Sequence, residues 1–319
     1  MAGGAWPGAG ARPVIPAWVL FTVSAAAFQC WRTAKQQKLR GQLSVNGAGV
    51  VRYLYGVPMG LAILGCYWLA FGGAVGGFSW VFWAYCLGGG LGQILGTNLL
   101  IMSFDKRGFA VGTAYSKTEA IQASIIAIVL LGETIPLLSW LGIAVSVGGV
   151  LYLSLAGRNL SPRGLLEATF QPAAILGIAA GFAFAVCSVF IKSANQALEG
   201  GDLVLKALVC LVIINGMQTL MQGGFLLARE PGEMARVFSS WRDSAVVGAL
   251  SACGSACWFS GFALAPVAMV RAVGQVEIIF TLFVSRFYLG ERIRMADRIG
   301  ALVVVAGVVL VLLGKYSWG

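Results

Sequence analysis

Residues 114–133 read AYSKTEAIQASIIAIVLLGE, and residues 272–291 read AVGQVEIIFTLFVSRFYLGE. Each is a long apolar run with an acid at its sixth position and Leu-Gly-Glu at its end. Laid one on the other, they stand 158 residues apart: Glu119 falls on Glu277, Ile121 on Ile279, and Leu131-Gly132-Glu133 on Leu289-Gly290-Glu291. The same offset carries Phe104 onto Phe262, Ile135 onto Ile293, Gly142 onto Gly300 and Gly149 onto Gly307. So many coincidences at one offset make the chain a tandem repeat, divided into residues 1–157 and 158–319.

Working outward, the composition says what kind of repeat this is. Of 319 residues, 59% are apolar and only 11% charged, and mean hydropathy is +0.85. A soluble domain is roughly 25% charged, so neither a soluble globule nor a disordered chain fits. The alternative is a polytopic membrane protein, which needs about 20 mostly apolar residues per helical span. Ten stretches qualify: Pro16–Ala34, Val45–Phe71, Phe78–Ile101, Phe109–Leu131, Leu137–Ala156, Pro172–Ala194, Leu203–Ala228, Ser244–Leu264, Val267–Leu289 and Asp297–Leu313. Their length argues for helices; barrel strands are about 10 residues and alternate in polarity. The first stretch follows Arg12 like a signal peptide but is long for one and lacks a convincing cleavage site; it is read as a span. Five spans per repeat is an odd number, so the second copy enters the membrane from the other side. The expected fold is therefore all-α, ten transmembrane helices in two inverted five-helix repeats, an arrangement typical of transporters that work by alternating access.

The paired runs, each ending in Leu-Gly-Glu and followed by a Gly-rich span to Leu155 or Leu313, resemble the EamA-type permeases of the drug/metabolite transporter superfamily. The resemblance covers both halves. It implies four helices of each repeat around a central cavity with the fifth at the periphery, and transport of a small metabolite; it does not specify the cargo. The acids and bases inside the fourth and ninth spans depart from many members.

Charges inside a membrane helix cost roughly 2.5–3.5 kcal/mol each on insertion scales and mark function. Five stand out: Arg52, Lys117, Glu119, Arg271 and Glu277. Glu119 lies about ten residues into its span, hence ~15 Å deep, and Glu277 matches it by the repeat. These acids read either as a binding or proton-coupling pair or as partners in permanent buried ion pairs with Lys117 or Arg271. On a continuous helix Tyr115, Glu119 and Gln122 share one face, suited to a cationic or zwitterionic solute with cation–π help from the ring; Lys117 points elsewhere, as do Arg271 and Gln275 in the second repeat. Arg52 reads as shallow, with Tyr53 and Tyr55 as interfacial companions. Asn98 and Trp258 complete the candidate solute-binding set, Trp258 as a cavity residue or a packing one.

Other chemistries are excluded or unsupported. There is no His, no metal-ligand cluster and no Walker A sequence, so neither a metal, a cofactor nor direct ATP drive is expected. The net charge of +10 does not signal nucleic acid here. Fifteen of the 22 Lys and Arg flank the odd-numbered loops, which charge bias places in the cytoplasm with both termini outside; the resemblance implies termini inside. The expected function is a secondary transporter, an exporter of a small polar or amphipathic metabolite across the inner membrane, with proton coupling through the acids. The other class considered is a membrane-embedded enzyme acting on a lipid-linked substrate, which the lack of His, the lack of an acidic metal loop and the repeat argue against. The Gly-rich fifth and tenth spans carry few polar residues, so they are expected outside the cavity, with their glycine faces available for a homodimer.

Overall fold

A computed structural model describes residues 15–105, 109–155, 170–287 and 295–316. The repeat boundary at 157/158 and the second Leu-Gly-Glu lie outside the described residues. The elements are α1 (Ala17–Leu39), α2 (Val45–Leu54), α3 (Gly56–Phe71), β1 (Val75–Gly76), α4 (Trp80–Asp105), α5 (Phe109–Ser116), α6 (Glu119–Leu131) and α7 (Leu137–Leu155). They continue with α8 (Pro172–Ala197), β2 (Glu199–Gly200), α9 (Leu203–Arg229), α10 (Glu233–Ser239), α11 (Trp241–Leu264), α12 (Val267–Val273), a 3-10 turn (Gly274–Val276), α13 (Glu277–Phe287) and α14 (Met295–Tyr316).

The described chain is all-α apart from one ladder of two residues per strand, Val75 opposite Gly200 and Gly76 opposite Glu199. Local signals set the helix ends. Ser44 caps α2 by accepting from the Gly47 N–H, Pro172 opens α8 at a position where its missing N–H is not needed, and Asp202 caps α9 through the Val204 and Leu205 N–H groups. Gly132 ends α6 in the left-handed region at φ 64°, a conformation that costs glycine nothing.

Seven helical segments are long and apolar enough to cross a membrane: Val45–Phe71, Trp80–Ser103, Val111–Leu131, Pro172–Ala197, Leu203–Arg229, Trp241–Leu264 and Met295–Gly314. The three other expected spans fall short for separate reasons. Helix α1 carries the polar Gln29 and Arg32 inside its apolar run, α7 is apolar but short over Leu137–Leu153, and the stretch from Val267 is described only as far as Phe287. Around the outside, Leu69, Val129, Leu220 and Leu302 are each more than two-thirds exposed. An apolar surface of that kind aggregates in water and suits hydrocarbon.

Helix α4 packs along α8, α1 along α11, and α7 along α14. Glycine permits the close approaches: a Cβ on Gly88 or Gly96 would stand 2.8 Å from the ring of Phe190 or Phe184. The glycine faces of α7 and α14 are turned onto each other, since a Cβ on Gly307 would meet the Gly142 carbonyl at 2.7 Å. Gly142, Gly149, Gly300 and Gly307 thus serve a contact within one chain, while Gly148 of α7 has nothing within 4 Å of its Cβ position.

Candidate functional site

The site begins with two interruptions. The run Phe109–Leu131 is not one helix: α5 stops at Ser116 and α6 starts at Glu119. Ser116 Oγ donates to the Thr113 carbonyl (2.7 Å) and Thr118 Oγ1 to the Tyr115 carbonyl (2.7 Å), the kind of local bonding by which short hydroxyl side chains compete with a helix. In the second repeat the chain breaks at the matching place, Gly274–Val276. The two breaks meet, because Gln275 Nε2 donates to the Lys117 carbonyl at 3.1 Å.

The break overturns the expected shared face of Tyr115, Glu119 and Gln122. Tyr115 is buried with Val111, Ala173 and Ala174. Gln122 Nε2 donates to Thr118 Oγ1 (3.0 Å) and points toward the Ile178 carbonyl of α8. Glu119 instead lines a cavity between the repeats, together with Lys117, Trp258, Arg271 and Glu277. Lys117 and Arg271, which a continuous helix would put on another face but which were also read as ion-pair partners of the acids, therefore lie with them. Gln275 sits behind the wall, on the Lys117 carbonyl. Asn98 also lies away from the cavity, donating to Asn46 Oδ1 (3.1 Å) and accepting from Gln222 Nε2 (3.0 Å). No described residue of α7 or α14 lines the cavity.

Two ion pairs cross the cavity and each joins the first half of the chain to the second: Lys117 Nζ with Glu277 Oε2, and Arg271 Nη1 with Glu119 Oε1. Both carboxylates are thus paired, with the two cations that the ion-pair reading of the sequence named. Glu277 Oε2 also accepts from Gln29 Nε2 at 2.8 Å, whose Oε1 in turn accepts from Trp258 Nε1 at 3.0 Å. Arg271 donates through Nε to Ser188 Oγ at 2.8 Å, and its Cζ lies 4.9 Å from the ring centroids of both Trp258 and Phe262. Trp258 is therefore a working part of the wall, holding Gln29 on one edge and a cation on its face.

Two more cations line the cavity. Arg32 is 6% exposed and Arg52 5%. Arg52 donates through Nη1 to Thr97 Oγ1 at 2.7 Å, so it turns into the protein and lines the cavity rather than reaching outward. Charge bias counts Arg32 among the fifteen basic residues of the odd-numbered loops; because α1 runs on to Leu39, it lies inside the helix. A signal for it was present: Gln29, Arg32, Thr33 and Gln36 recur at i, i+3, i+4 and i+7, one polar face, hidden by the neighbouring Lys35 and Lys38. The cavity is small, about 40 Å³ of free space, or about three waters at ~10–15 Å³ each.

Residues 171–313 match the model of the EamA-like transporter family. That stretch, a little under half of the chain, is similar to the EamA-like transporter family. The family is part of the drug/metabolite transporter superfamily, and its apolar helices make this chain a multi-pass membrane protein. Within the EamA-like half lie Trp258, Arg271 and Glu277; their partners Gln29, Lys117 and Glu119 come from the other half. None of the curated proteins matches the chain in sequence. Its fold is similar to that of a protein solved by crystallography, at 15% identity, with a TM-score of 0.66 over 95% of this chain and 99% of that one. At that identity the likeness is one of fold alone.

Proposed function

We propose that this EamA-like protein is a secondary transporter that moves a small polar solute by alternating access, with the cavity around Glu119 and Glu277 as its solute site. The observation that carries the proposal is the crossed pairing, Lys117 with Glu277 and Arg271 with Glu119. A permanent structural pair needs no symmetry, whereas pairs that bridge two repeats can break and reform as the repeats rock.

The fuller architecture is part of the same reading: ten spans in two inverted repeats. Supporting it, the 158-residue offset maps α5, its break and α6 onto α12, the 3-10 turn and α13 within a residue or two. It also exchanges the α1–α11 contact with the α8–α4 contact, as a twofold axis would.

Export is the direction we assign. At the even-loop end Lys192 Nζ bonds Glu133 Oε1 (2.7 Å) and the Ala265 carbonyl (2.9 Å), Glu133 Oε1 also accepts from the Val267 N–H (3.1 Å), and the β1–β2 ladder joins two loops. This end is outside in the orientation set by charge bias, at an inner membrane, so solute loads from the cytoplasm. Protonation of either acid would free its cation, and in this way a proton gradient is coupled to transport.

The test is counterflow. Purified protein is screened by thermal shift against a metabolite panel, and each stabilising solute is then tested in sealed proteoliposomes preloaded with that solute unlabelled. Accumulation of external label, lost on Glu119→Gln or Glu277→Gln, is the expected result. Stabilising solutes that never exchange across the sealed membrane would overturn the transport reading.

A further inference from the structure

We propose that the solute carries an oxyanion, a carboxylate or phosphate group, seated on Arg32 and Arg52. This rests on the cavity being the solute site and names its chemistry.

The charges in the cavity wall do not cancel. Four cations line it, Arg32, Arg52, Lys117 and Arg271, against two anions, Glu119 and Glu277. Both anions are already held, Glu119 by Arg271 and Glu277 by Lys117 and Gln29. Among the described residues no carboxylate pairs with Arg32 or Arg52. Their side-chain hydrogen bonds go to neutral hydroxyls, Arg52 Nη1 to Thr97 Oγ1 at 2.7 Å and Arg32 Nη2 to Thr33 Oγ1 at 3.3 Å, and Arg52 Cζ also stands 5.5 Å from the Tyr53 ring centroid.

A guanidinium has five N–H donors and stays charged. Buried Arg32 Nε has no hydrogen-bond partner, and Arg32 lies within electrostatic reach of both the Arg52 guanidinium and the Glu277 carboxylate. Two buried like charges with unfilled donors are costly unless an acceptor arrives. The planar fork of arginine matches the oxygen geometry of carboxylate and phosphate better than that of chloride. The free space is that of a few atoms, so it fits a head group of this kind, while the rest of the solute needs the repeats to part. The aromatic and cationic wall of Trp258, Phe262 and Arg271 lies beside the seat.

Two sources supply such a group: a soluble metabolite or an anionic lipid. The experiment measures the melting temperature of the full chain in a neutral detergent, titrating inorganic phosphate and, separately, benzoate against potassium chloride at matched ionic strength. A parallel arm adds phosphatidylglycerol. The expected result is a saturable rise with phosphate or benzoate over chloride. The apparent affinity should fall roughly ten-fold or more in Arg52→Gln and in Arg32→Gln, the loss of one charge-assisted contact, and only a few-fold in Arg52→Lys and Arg32→Lys, which keep the charge. Exposed Arg242→Gln should leave the rise unchanged. If a Gln variant does not fold, the Lys pair still reports on the seat, because a seat that reads guanidinium geometry must weaken with lysine. Equal melting in all soluble anions, or a rise indifferent to Arg32 and Arg52, would overturn the proposal. So would a response to phosphatidylglycerol alone, which makes the seat a lipid contact. Counterflow with an uncharged solute and no anion effect sinks this inference and spares the transport reading; a clean anion effect with no counterflow does the reverse.

Discussion

Lys117 and Glu277 show what single charges do here. Both are mostly buried, with side chains 16% and 7% exposed. Removing one partner of a buried pair strands the other, at a cost of about 3 kcal/mol, whereas apolar replacement of both is often nearly neutral. Glu277→Gln should therefore lower the melting temperature well beyond any surface change, and Lys117→Met with Glu277→Leu should recover most of it while abolishing solute exchange. A double variant as unstable as the single would mean that Gln29, not Lys117, is the partner that matters. Asp202 gives a second prediction, at the membrane edge. Burial is the largest single influence and raises its carboxyl, but bonds from the Leu205 N–H, the Tyr67 hydroxyl and the Val204 N–H together outweigh it and hold the group below the ordinary value. A lowered folded pKa means its stabilisation is complete above the unfolded value of about 3.9 and is lost as pH falls through the folded one. Asp202→Ala should cost ~1 kcal/mol at neutral pH, and the difference from wild type should vanish in melts at strongly acidic pH. At this scale the sequence was a good guide to Lys117, Glu119, Arg271 and Glu277, because a charge in an apolar run is conspicuous. It hid Arg32, because a charge beside Lys35 and Lys38 is not.

Helices were legible from their apolar length, and their interruptions were not. No proline marks the break at Lys117-Thr118, and the apolar pattern of α5 runs straight into α6. What ends α5 is a pair of hydroxyl-to-carbonyl bonds together with Gln275 from more than a hundred residues away, and no local signal encodes the latter. Gly274 is the element-scale test. A Cβ there would lie 2.3 Å from Trp258 Cη2, and a rigid indole between Gln29 and Arg271 has little room to yield. Gly274→Ala should displace the ring and weaken solute or anion binding, read as a reduced thermal shift on ligand addition. An unchanged shift would mean the backbone of the turn gives way instead. The pairing of α7 with α14 offers a contrasting case. Gly307→Leu should part those helices and lower stability without altering ligand affinity, since neither helix reaches the cavity.

For the whole molecule, an all-α chain of apolar helices was legible in the composition; which helix touches which was not, because contact between residues far apart in sequence leaves no periodic trace. The seal at one end makes this concrete. Lys192, Glu133 and the backbone at Ala265 and Val267 tie α8, the end of α6 and the start of α12 together. Lys192→Met removes the tie and leaves the cavity intact. Amide hydrogen exchange at Val267 and along residues 198–202 should then quicken, while α7 and α14 keep their protection. Uniform quickening would indicate general destabilisation, and no change would mean the ladder alone holds this end shut.

The crossed pairing also has a consequence in time. Lys117 and Glu277 are 160 residues apart, and a ribosome adds about 5–20 residues per second. For about 8 to 32 seconds, then, the first half sits at the membrane with Lys117 and Glu119 awaiting the partners that neutralise them and the Lys117 carbonyl awaiting Gln275. During synthesis the nascent first half is an orphan, in need of water, the insertion machinery or a chaperone until its twin is made.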